Sequence, residues 1–141
     1  MNRRQARENA VKVLFQMDIA QVDLDYALQH QIDDEENRQE DVENEFFVKL
    51  IKGTNENVEQ IDQLIRKHLR GWTLERLSGV DRAILRLATF EMYFIHEMPA
   101  GVTLNEAIEL AKTFGTDESP KFINGVLSGL VKDSGKLKER S

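Results

Sequence analysis

The chain has 141 residues, of which 40% are hydrophobic, and this is enough for one domain with a buried core. It has no cysteine, which excludes disulfides, thiolate zinc sites and cysteine nucleophiles, and no apolar run approaches the ~18 residues of a membrane span. Its net charge of −6 argues, taken as a whole, against nucleic-acid binding.

The first helix is predicted from residue 3 to about residue 21, where apolar residues recur over a wide arc. Arg3, Arg4 and Arg7 lie in its first turns. Cations at a helix N-terminus oppose the helix dipole by ~0.3–1 kcal/mol each when exposed, so helix stability does not explain them. An anionic partner is the simplest explanation, and the alternative is a solvated, partly frayed N-terminus with ordinary surface charge.

A short second helix carries Leu24, Leu28 and Ile32, and an acidic loop follows at residues 33–41. Residues 33–45 hold eight acidic side chains against one arginine, a net charge of −7, so the rest of the chain carries +1. An acidic protein can therefore have a basic surface elsewhere. The loop is interpreted as solubilising, and we assign it no other function.

Two further helices are predicted around Val42–Ile51 and Val58–Leu69, and Gly71 ends the second of them. Trp72 is the only tryptophan and lies in the link that follows. We expect it to pack into a core, because its large apolar surface is the natural anchor for a link.

The fifth helix is predicted from residue 79 to about residue 95, with Ser78 as its cap. It is apolar on more than one side, which predicts a central position. Arg82 and Arg86 lie four residues apart on its polar side and are interpreted as a solvated face or as members of local ion pairs.

Residues 102–131 indicate two helices joined by a tight elbow. Thr103 with Glu106 has the spacing of a capping box. Gly115 is expected to end the first helix in the left-handed conformation. Ser119-Pro120 restarts the chain, with serine as cap and proline at the first helical position.

The count is about seven helices without a convincing strand, so the fold class is all-α, and a polar tail is expected at residues 132–141. His30, His68 and His96 are far apart and have no metal-ligand spacing. The chain has no glycine-rich phosphate loop and no nucleophile motif. We therefore expect no metal or other cofactor and no enzymatic activity.

The elbow has the residue types of a nucleic-acid site. Free amides at a helix start attract phosphate, and Lys121 adds positive charge there. Asn124 can bond to a base edge, and an exposed aromatic ring can stack on a base. The alternatives are that Phe122 is a core residue and that Asp117 and Glu118 repel phosphate unless they accept hydrogen bonds from base amino groups or sugar hydroxyls.

Three segments resemble the NusB family of bacterial transcription antitermination factors: RRQARENAVKVLFQMD, VDRAILRLATFEM and VTLNEAIELAKTFGTDESPKFINGVL. The resemblance implies one domain over residues 1–141, built from two packed three-helix-type bundles. It implies binding of the boxA element of ribosomal RNA transcripts together with NusE, a small-subunit ribosomal protein. It also implies association with other Nus factors and elongating RNA polymerase, a cytoplasmic location, and a monomer or homodimer.

The resemblance also implies functional residues. RNA binding is carried over to Arg3, Arg4, Arg7, Phe114, Glu118, Lys121, Phe122 and Asn124. Binding of the protein partner is carried over to Arg76, Asp81, Arg82 and Arg86. Gln5 interrupts the N-terminal arginine run, which predicts weaker RNA binding than in more basic relatives.

Two functional hypotheses follow. The first is a non-catalytic RNA-binding transcription factor that acts within a ribonucleoprotein complex. The second is a helical protein-interaction adaptor or a ribosome-assembly factor without direct RNA binding, which the acidic net charge favours.

Overall fold

The computed structural model of the protein describes residues 2–30 and 44–135, without the side chain of His30. The predicted acidic loop and residues 136–141 of the predicted tail lie outside this range. The described residues form seven α-helices, one 3₁₀ turn and no strand, so the all-α class is confirmed. The helices are α1 Arg3–Ala20, α2 Leu24–His30, α3 Glu45–Glu56, α4 Val58–Arg66, α5 Gly79–Phe94, α6 Ala100–Phe114 and α7 Ser119–Ser134, with the turn at Leu74–Arg76. None of these helices combines the length and apolar character needed to cross a membrane.

The first of two compact units spans residues 1–56. In it α1 packs against α2 and α3, and α2 also contacts α3. Phe47, Leu50 and Ile51 of α3 are fully buried, as are Ala6 and Ala10 of α1. The alanines let the two helices approach closely while the larger side chains of α3 fill the core.

The start of α1 is a capped helix end. Asn2 Oδ1 accepts a hydrogen bond from the amide of Gln5 at 2.8 Å, and Gln5 Oε1 accepts one from the amide of Asn2 at 3.1 Å. This reciprocal arrangement is a capping box. Gln5, which interrupts the arginine run, therefore stabilises the end of the helix that carries the arginines.

The second unit spans residues 57–141, and α5 is its central helix. Helix α5 contacts α4, α6 and α7, as its wide apolar arc predicts. Ser78 Oγ accepts a hydrogen bond from the amide of Asp81 at 3.1 Å, so the predicted cap is confirmed. The largest fully buried side chains of this unit are Ile61, Ile65, Leu74, Ile84, Leu85, Leu87, Met92, Ile123 and Leu127.

The capping box predicted at Thr103 and Glu106 is wrong. Helix α6 begins at Ala100, because Pro99 already supplies the extended conformation of a cap residue at φ −64° and ψ 138°. Thr103 therefore lies inside the helix, 1% exposed, and its Oγ1 is a buried atom without a hydrogen-bond partner among the described residues.

The elbow between α6 and α7 also differs from its prediction. Ser119 is the first helical residue rather than the cap, which is Glu118. Ser119 Oγ instead accepts a hydrogen bond from the amide of Thr116 at 3.0 Å, across the elbow. Gly115 is not left-handed, since its φ is −92°. Glycine is required there by space: a Cβ atom would lie 2.5 Å from Ser119 Oγ and 2.8 Å from the carbonyl oxygen of Ala111.

The prediction that Trp72 packs into a core is wrong as well. Its side chain is 58% exposed, whereas Leu74 is 2% exposed and enters the core in its place. Gly71, at φ +76°, turns the chain immediately before the tryptophan. The link is thus anchored by the leucine, and the indole ring is left in solvent.

Candidate functional site

The arginines at the start of α1 lie in different environments. The guanidinium carbon of Arg3 lies 4.8 Å from the centre of the Phe46 ring, and that of Arg7 lies 5.2 Å from it. Both distances are those of cation–π contacts. Arg7 is only 3% exposed and belongs to the packing of α1 on α3. Arg3 and Arg4 are exposed, so these two residues form the accessible part of the basic cluster.

A cleft of about 690 Å³ lies in the second unit, beside α7. Its volume is within the ~300–1,000 Å³ that is usual for ligand sites. It is lined by His68, Arg70, Trp72, Asp117, Glu118, Lys121, Phe122, Gly125, Val126 and Gly129. The lining thus comes from three segments: the chain that follows α4, the elbow, and one face of α7.

The wall that follows α4 is held against α7 by His68. Its Nε2 atom lies 2.6 Å from Oδ2 of Asp133, near the end of α7. The imidazole ring also lies directly over Gly129, where any side chain would overlap it. Glycine at this position therefore leaves room for the His68 ring, whose contacts with α7 hold the start of the segment that carries Arg70 and Trp72.

The elbow supplies a second part of the cleft lining. Asp117, Glu118 and Lys121 are exposed, and Phe122 is half-buried. Phe122 therefore serves both as a packing residue and as part of the cleft surface. The predicted residues Glu118, Lys121 and Phe122 are thus brought together.

Two other predicted RNA-binding residues do not line the cleft. Asn124 is exposed on α7, and its backbone carbonyl accepts a hydrogen bond from Ser128 Oγ at 2.7 Å. The amide oxygen of Asn124 lies 3.5 Å from the same hydroxyl. Phe114 is half-buried at the end of α6. Of these two side chains, only that of Asn124 is largely open to solvent.

The cleft mixes charges rather than being uniformly basic. Arg70 and Lys121 can bind phosphate, and Asp117 and Glu118 can accept hydrogen bonds from base amino groups or ribose hydroxyls. Aromatic rings of the lining offer surfaces on which a base can stack. This set of groups suits a nucleotide better than a free anion, which the two carboxylates would repel.

Two of the four residues predicted to bind a protein partner, Arg82 and Arg86, form hydrogen bonds within the fold. Arg86 forms a two-pronged ion pair with Asp62 of α4, with Nε–Oδ1 and Nη2–Oδ2 distances of 2.8 and 2.9 Å. Arg82 Nη1 donates hydrogen bonds to the carbonyl oxygens of Leu74 and Leu77 at 3.2 and 3.1 Å. The interpretation of Arg86 as a member of a local ion pair is confirmed.

The other two predicted partner residues differ in their exposure. Arg76 is exposed in the 3₁₀ turn, whereas Asp81 is half-buried in the first turn of α5. The Oδ1 atom of Asp81 is buried and has no hydrogen-bond partner among the described residues. Arg76 is therefore the most accessible of the four.

Two groups outside the cleft have shifted pKa values. Burial raises the pKa of the Tyr93 hydroxyl, with a smaller contribution from the negative charge of Asp133. A hydrogen bond from its own backbone amide lowers the pKa of Glu75, and Arg66 lowers it further through a contact of 2.6 Å. Within residues 2–30 and 44–135, no three histidine or acidic side chains are grouped as metal ligands would be.

The sequence pattern predicts no binding role for His68, Arg70 or Trp72. Their exposure depends on the link after α4, which has no periodicity from which burial can be read. One signal was available: a cation and an aromatic residue flank a glycine in the segment RGW. Such interleaving is typical of nucleic-acid surfaces, but it also fits a buried anchor.

The described residues thus define an all-α protein whose second unit has a cleft of a size that suits a ligand. A sequence model described as the NusB family matches residues 4–132. The transcription antitermination protein NusB of Bacillus licheniformis is 49% identical over 133 residues, which cover 94% of this chain and 98% of that protein. The protein of the same name from Bacillus subtilis is 46% identical, with 94% and 97% covered.

Solved structures give the same result. The NusB structure from T. maritima has a TM-score of 0.80 and 39% identity, and the match covers 94% of this chain and 92% of that one. A crystal structure of the antitermination factors NusB and NusE in complex with dsRNA contains a chain with a TM-score of 0.74 and 27% identity, with 93% and 96% covered. The chain belongs to the NusB family.

Proposed function

We propose that this protein is a non-catalytic transcription antitermination factor that binds boxA RNA of ribosomal RNA transcripts together with NusE. The observation that carries the proposal is the 49% identity with a transcription antitermination protein over nearly all of both chains. The crystal structure of a related NusB with NusE and dsRNA supports both kinds of partner. The complex acts with other Nus factors on elongating RNA polymerase, and so in the cytoplasm, where bacteria transcribe.

Two surfaces are proposed to contact RNA. In the first unit, the exposed Arg3 and Arg4 bind phosphates, while Arg7 supports them through the packing of α1 on Phe46. In the second unit, the cleft binds nucleotides through the residues that the family resemblance indicates. These are Glu118, Lys121 and Phe122, with Phe114 and Asn124 nearby in sequence.

RNA affinity is expected to be modest without NusE, because the accessible cations are few. Each phosphate neutralised on a single strand lowers log K by roughly 0.7 per tenfold increase in salt. NusE raises the affinity by binding jointly, and RNA raises the affinity for NusE by the same factor.

The surface around Arg76, Asp81, Arg82 and Arg86 is proposed to bind NusE. Arg82 and Arg86 also bond within the unit, so their substitution changes stability as well as binding. Arg76 is exposed and gives the cleaner test. Arg76→Glu is expected to weaken NusE binding without lowering the melting temperature.

The test is a titration of labelled boxA RNA at several salt concentrations, with and without NusE. The variant Arg3→Ala/Arg4→Ala is expected to bind more weakly, with a salt slope that is shallower by roughly 1.4 for two lost phosphate contacts. Lys52→Ala is the matched control, since this lysine is exposed on α3 of the same unit. An unchanged slope in the double variant contradicts the role of the arginines.

The second candidate is a protein-interaction adaptor or a ribosome-assembly factor that does not bind RNA directly. The exposed side chains of Ile19 and Tyr26, 56% and 48% exposed, favour it, because apolar groups in solvent can mark a protein contact. If the wild-type protein captures NusE but binds no boxA RNA at low salt, this candidate replaces the first. Light scattering distinguishes the monomer from the homodimer.

A further inference from the structure

We infer that Trp72 is a stacking platform for one base of the bound RNA, so that the RNA site of the second unit extends from the elbow onto the link after α4. This inference rests on the proposed RNA-binding function. It adds a residue that determines affinity, and it explains why the only tryptophan of the chain lies in solvent.

The position of Trp72 in the cleft supports the stacking role more strongly than its exposure alone. Single apolar side chains are common on protein surfaces and need no explanation. Trp72, however, is 58% exposed and also lines the cleft that contains Glu118, Lys121 and Phe122. An accessible indole face in a concave site with cations is the arrangement that binds a base by stacking.

The link that carries Trp72 is fixed on both sides. Before it, His68 is bonded to Asp133 and packed on Gly129. After it, Leu74 is buried, and the carbonyl oxygen of Leu74 accepts a hydrogen bond from Arg82. The indole ring is therefore presented on an ordered segment, and binding does not have to order the link first. Such preorganisation favours affinity.

The groups around the indole ring fit a ribonucleotide. Arg70 and Lys121 supply positive charge for phosphates. Asp117 and Glu118 are acceptors for exocyclic amino groups or a ribose 2′-hydroxyl, which DNA lacks. An acidic peptide would meet two carboxylates in this cleft and would make no use of a stacking surface. The chemistry therefore favours single-stranded RNA as the occupant.

The part of the cleft lined by Gly125 of α7, called its floor below, is consistent with an open site for a base. Gly125 lies within α7, and a Cβ atom there would meet nothing within 4 Å. Glycine weakens a helix relative to alanine, and packing within the unit does not require it at this position. A side chain at residue 125 would extend into the space that the proposal gives to the nucleotide.

Intrinsic fluorescence tests the inference directly, because the 141-residue chain has one tryptophan. The protein without NusE is titrated with boxA RNA at low salt, and RNA binding is followed separately by the anisotropy of a label on the RNA. Stacking is expected to quench the emission of Trp72 with the same midpoint as the anisotropy change. Trp72→Ala is expected to bind roughly tenfold more weakly, which is within the range for one stacked base.

Further variants separate stacking from other contributions. Trp72→Phe keeps an aromatic face and is expected to recover part of the affinity, whereas Trp72→Leu keeps only apolar bulk and is not. Gly125→Leu is expected to weaken binding by obstructing the floor. Tyr26→Ala is the control, since it removes an exposed aromatic ring from the first unit and is expected to change neither signal. Abasic sites introduced one at a time into the RNA identify the stacked base, at which Trp72→Ala has no further effect.

The possible outcomes distinguish this inference from the proposed function. If the RNA binds by anisotropy but emission is unquenched and Trp72→Ala binds as tightly as wild type, the stacking role is overturned and RNA binding stands. If wild-type protein gives no anisotropy change at low salt, either alone or with NusE, both are overturned. If Trp72→Leu binds as well as Trp72→Phe, the contact is apolar and the stacking role is again overturned.

Discussion

The ion pair between Arg86 and Asp62 is expected to make a measurable contribution to the stability of the second unit. The two side chains are only 19% and 14% exposed, and two hydrogen bonds join them. Arg86→Met leaves the carboxylate of Asp62, which is largely shielded from water, without its two donors. Breaking a fully buried pair in this way costs ~3–5 kcal/mol, and an exposed pair contributes ~0–1 kcal/mol. The partial exposure of this pair indicates a loss of about 2 kcal/mol.

Urea unfolding of wild type, Arg86→Met, Asp62→Leu and the double variant measures this loss by circular dichroism. Each single variant is expected to lose about 2 kcal/mol, and the double variant less than the sum, because apolar residues can replace an ion pair at little cost. If the two single effects are below about 0.5 kcal/mol and add, the pair does not stabilise the fold and the reasoning fails.

The same double variant tests the role of Arg86 in partner binding. It removes the guanidinium while keeping the contact between α4 and α5 filled. If it is as stable as wild type but no longer captures NusE, Arg86 contacts NusE. If capture is unchanged, Arg86 serves the fold alone, and the proposed interface loses this residue.

Three further predictions concern single sites. Gly115→Ala is expected to destabilise the protein by about 1–3 kcal/mol in urea unfolding, because the alanine Cβ atom would overlap atoms of the elbow. Gly125→Ala is expected to stabilise the protein by about 0.5–1 kcal/mol, because a Cβ atom there meets nothing and alanine favours a helix. Equal effects of the two substitutions would contradict the steric argument. The pKa of Tyr93 is raised in the folded state, so its contribution to stability is present below the unfolded pKa of about 10 and is lost as pH rises through the folded pKa. Tyr93→Phe is expected to flatten this alkaline decline in unfolding experiments at rising pH, and an unchanged decline would exclude the hydroxyl as its source. Phe46→Leu is expected to lower the free energy of unfolding by about 1–2 kcal/mol, because it removes the cation–π contacts with Arg3 and Arg7. If the same substitution costs as much in a variant that lacks both arginines, only the packing of the ring contributes.

The helices could be predicted because their signals are local. The apolar arc of α5 and the cap at Ser78 depend on residues within a few positions of one another, and both are confirmed. The capping box predicted at Thr103 is wrong because the helix already begins after Pro99. Residue spacing alone does not distinguish between two possible helix N-termini so close together. At Gly115 the residue type was read correctly as a helix end, but the reason is space rather than a positive φ.

The candidate site was only partly predictable, because burial is set by contacts distant in sequence. Arg7 was expected at the surface, but it is buried beside Phe46, a residue of another helix. Trp72 was expected in a core but is exposed, because Leu74 takes the buried position. Nothing within a few residues of either side chain determines which of two neighbours is enclosed, so periodicity could not distinguish them.

Gly125 has a consequence for attempts to engineer this protein. Selection of variants for thermal stability alone favours residues with high helix propensity. At Gly125 the Cβ atom of such a residue meets no neighbouring atom, and the residue is expected to raise stability. A larger side chain there would survive such a selection while occupying the floor of the cleft. Variants selected in this way would be more stable but would bind RNA more weakly if the cleft is the proposed RNA site, so such a selection should also include RNA binding.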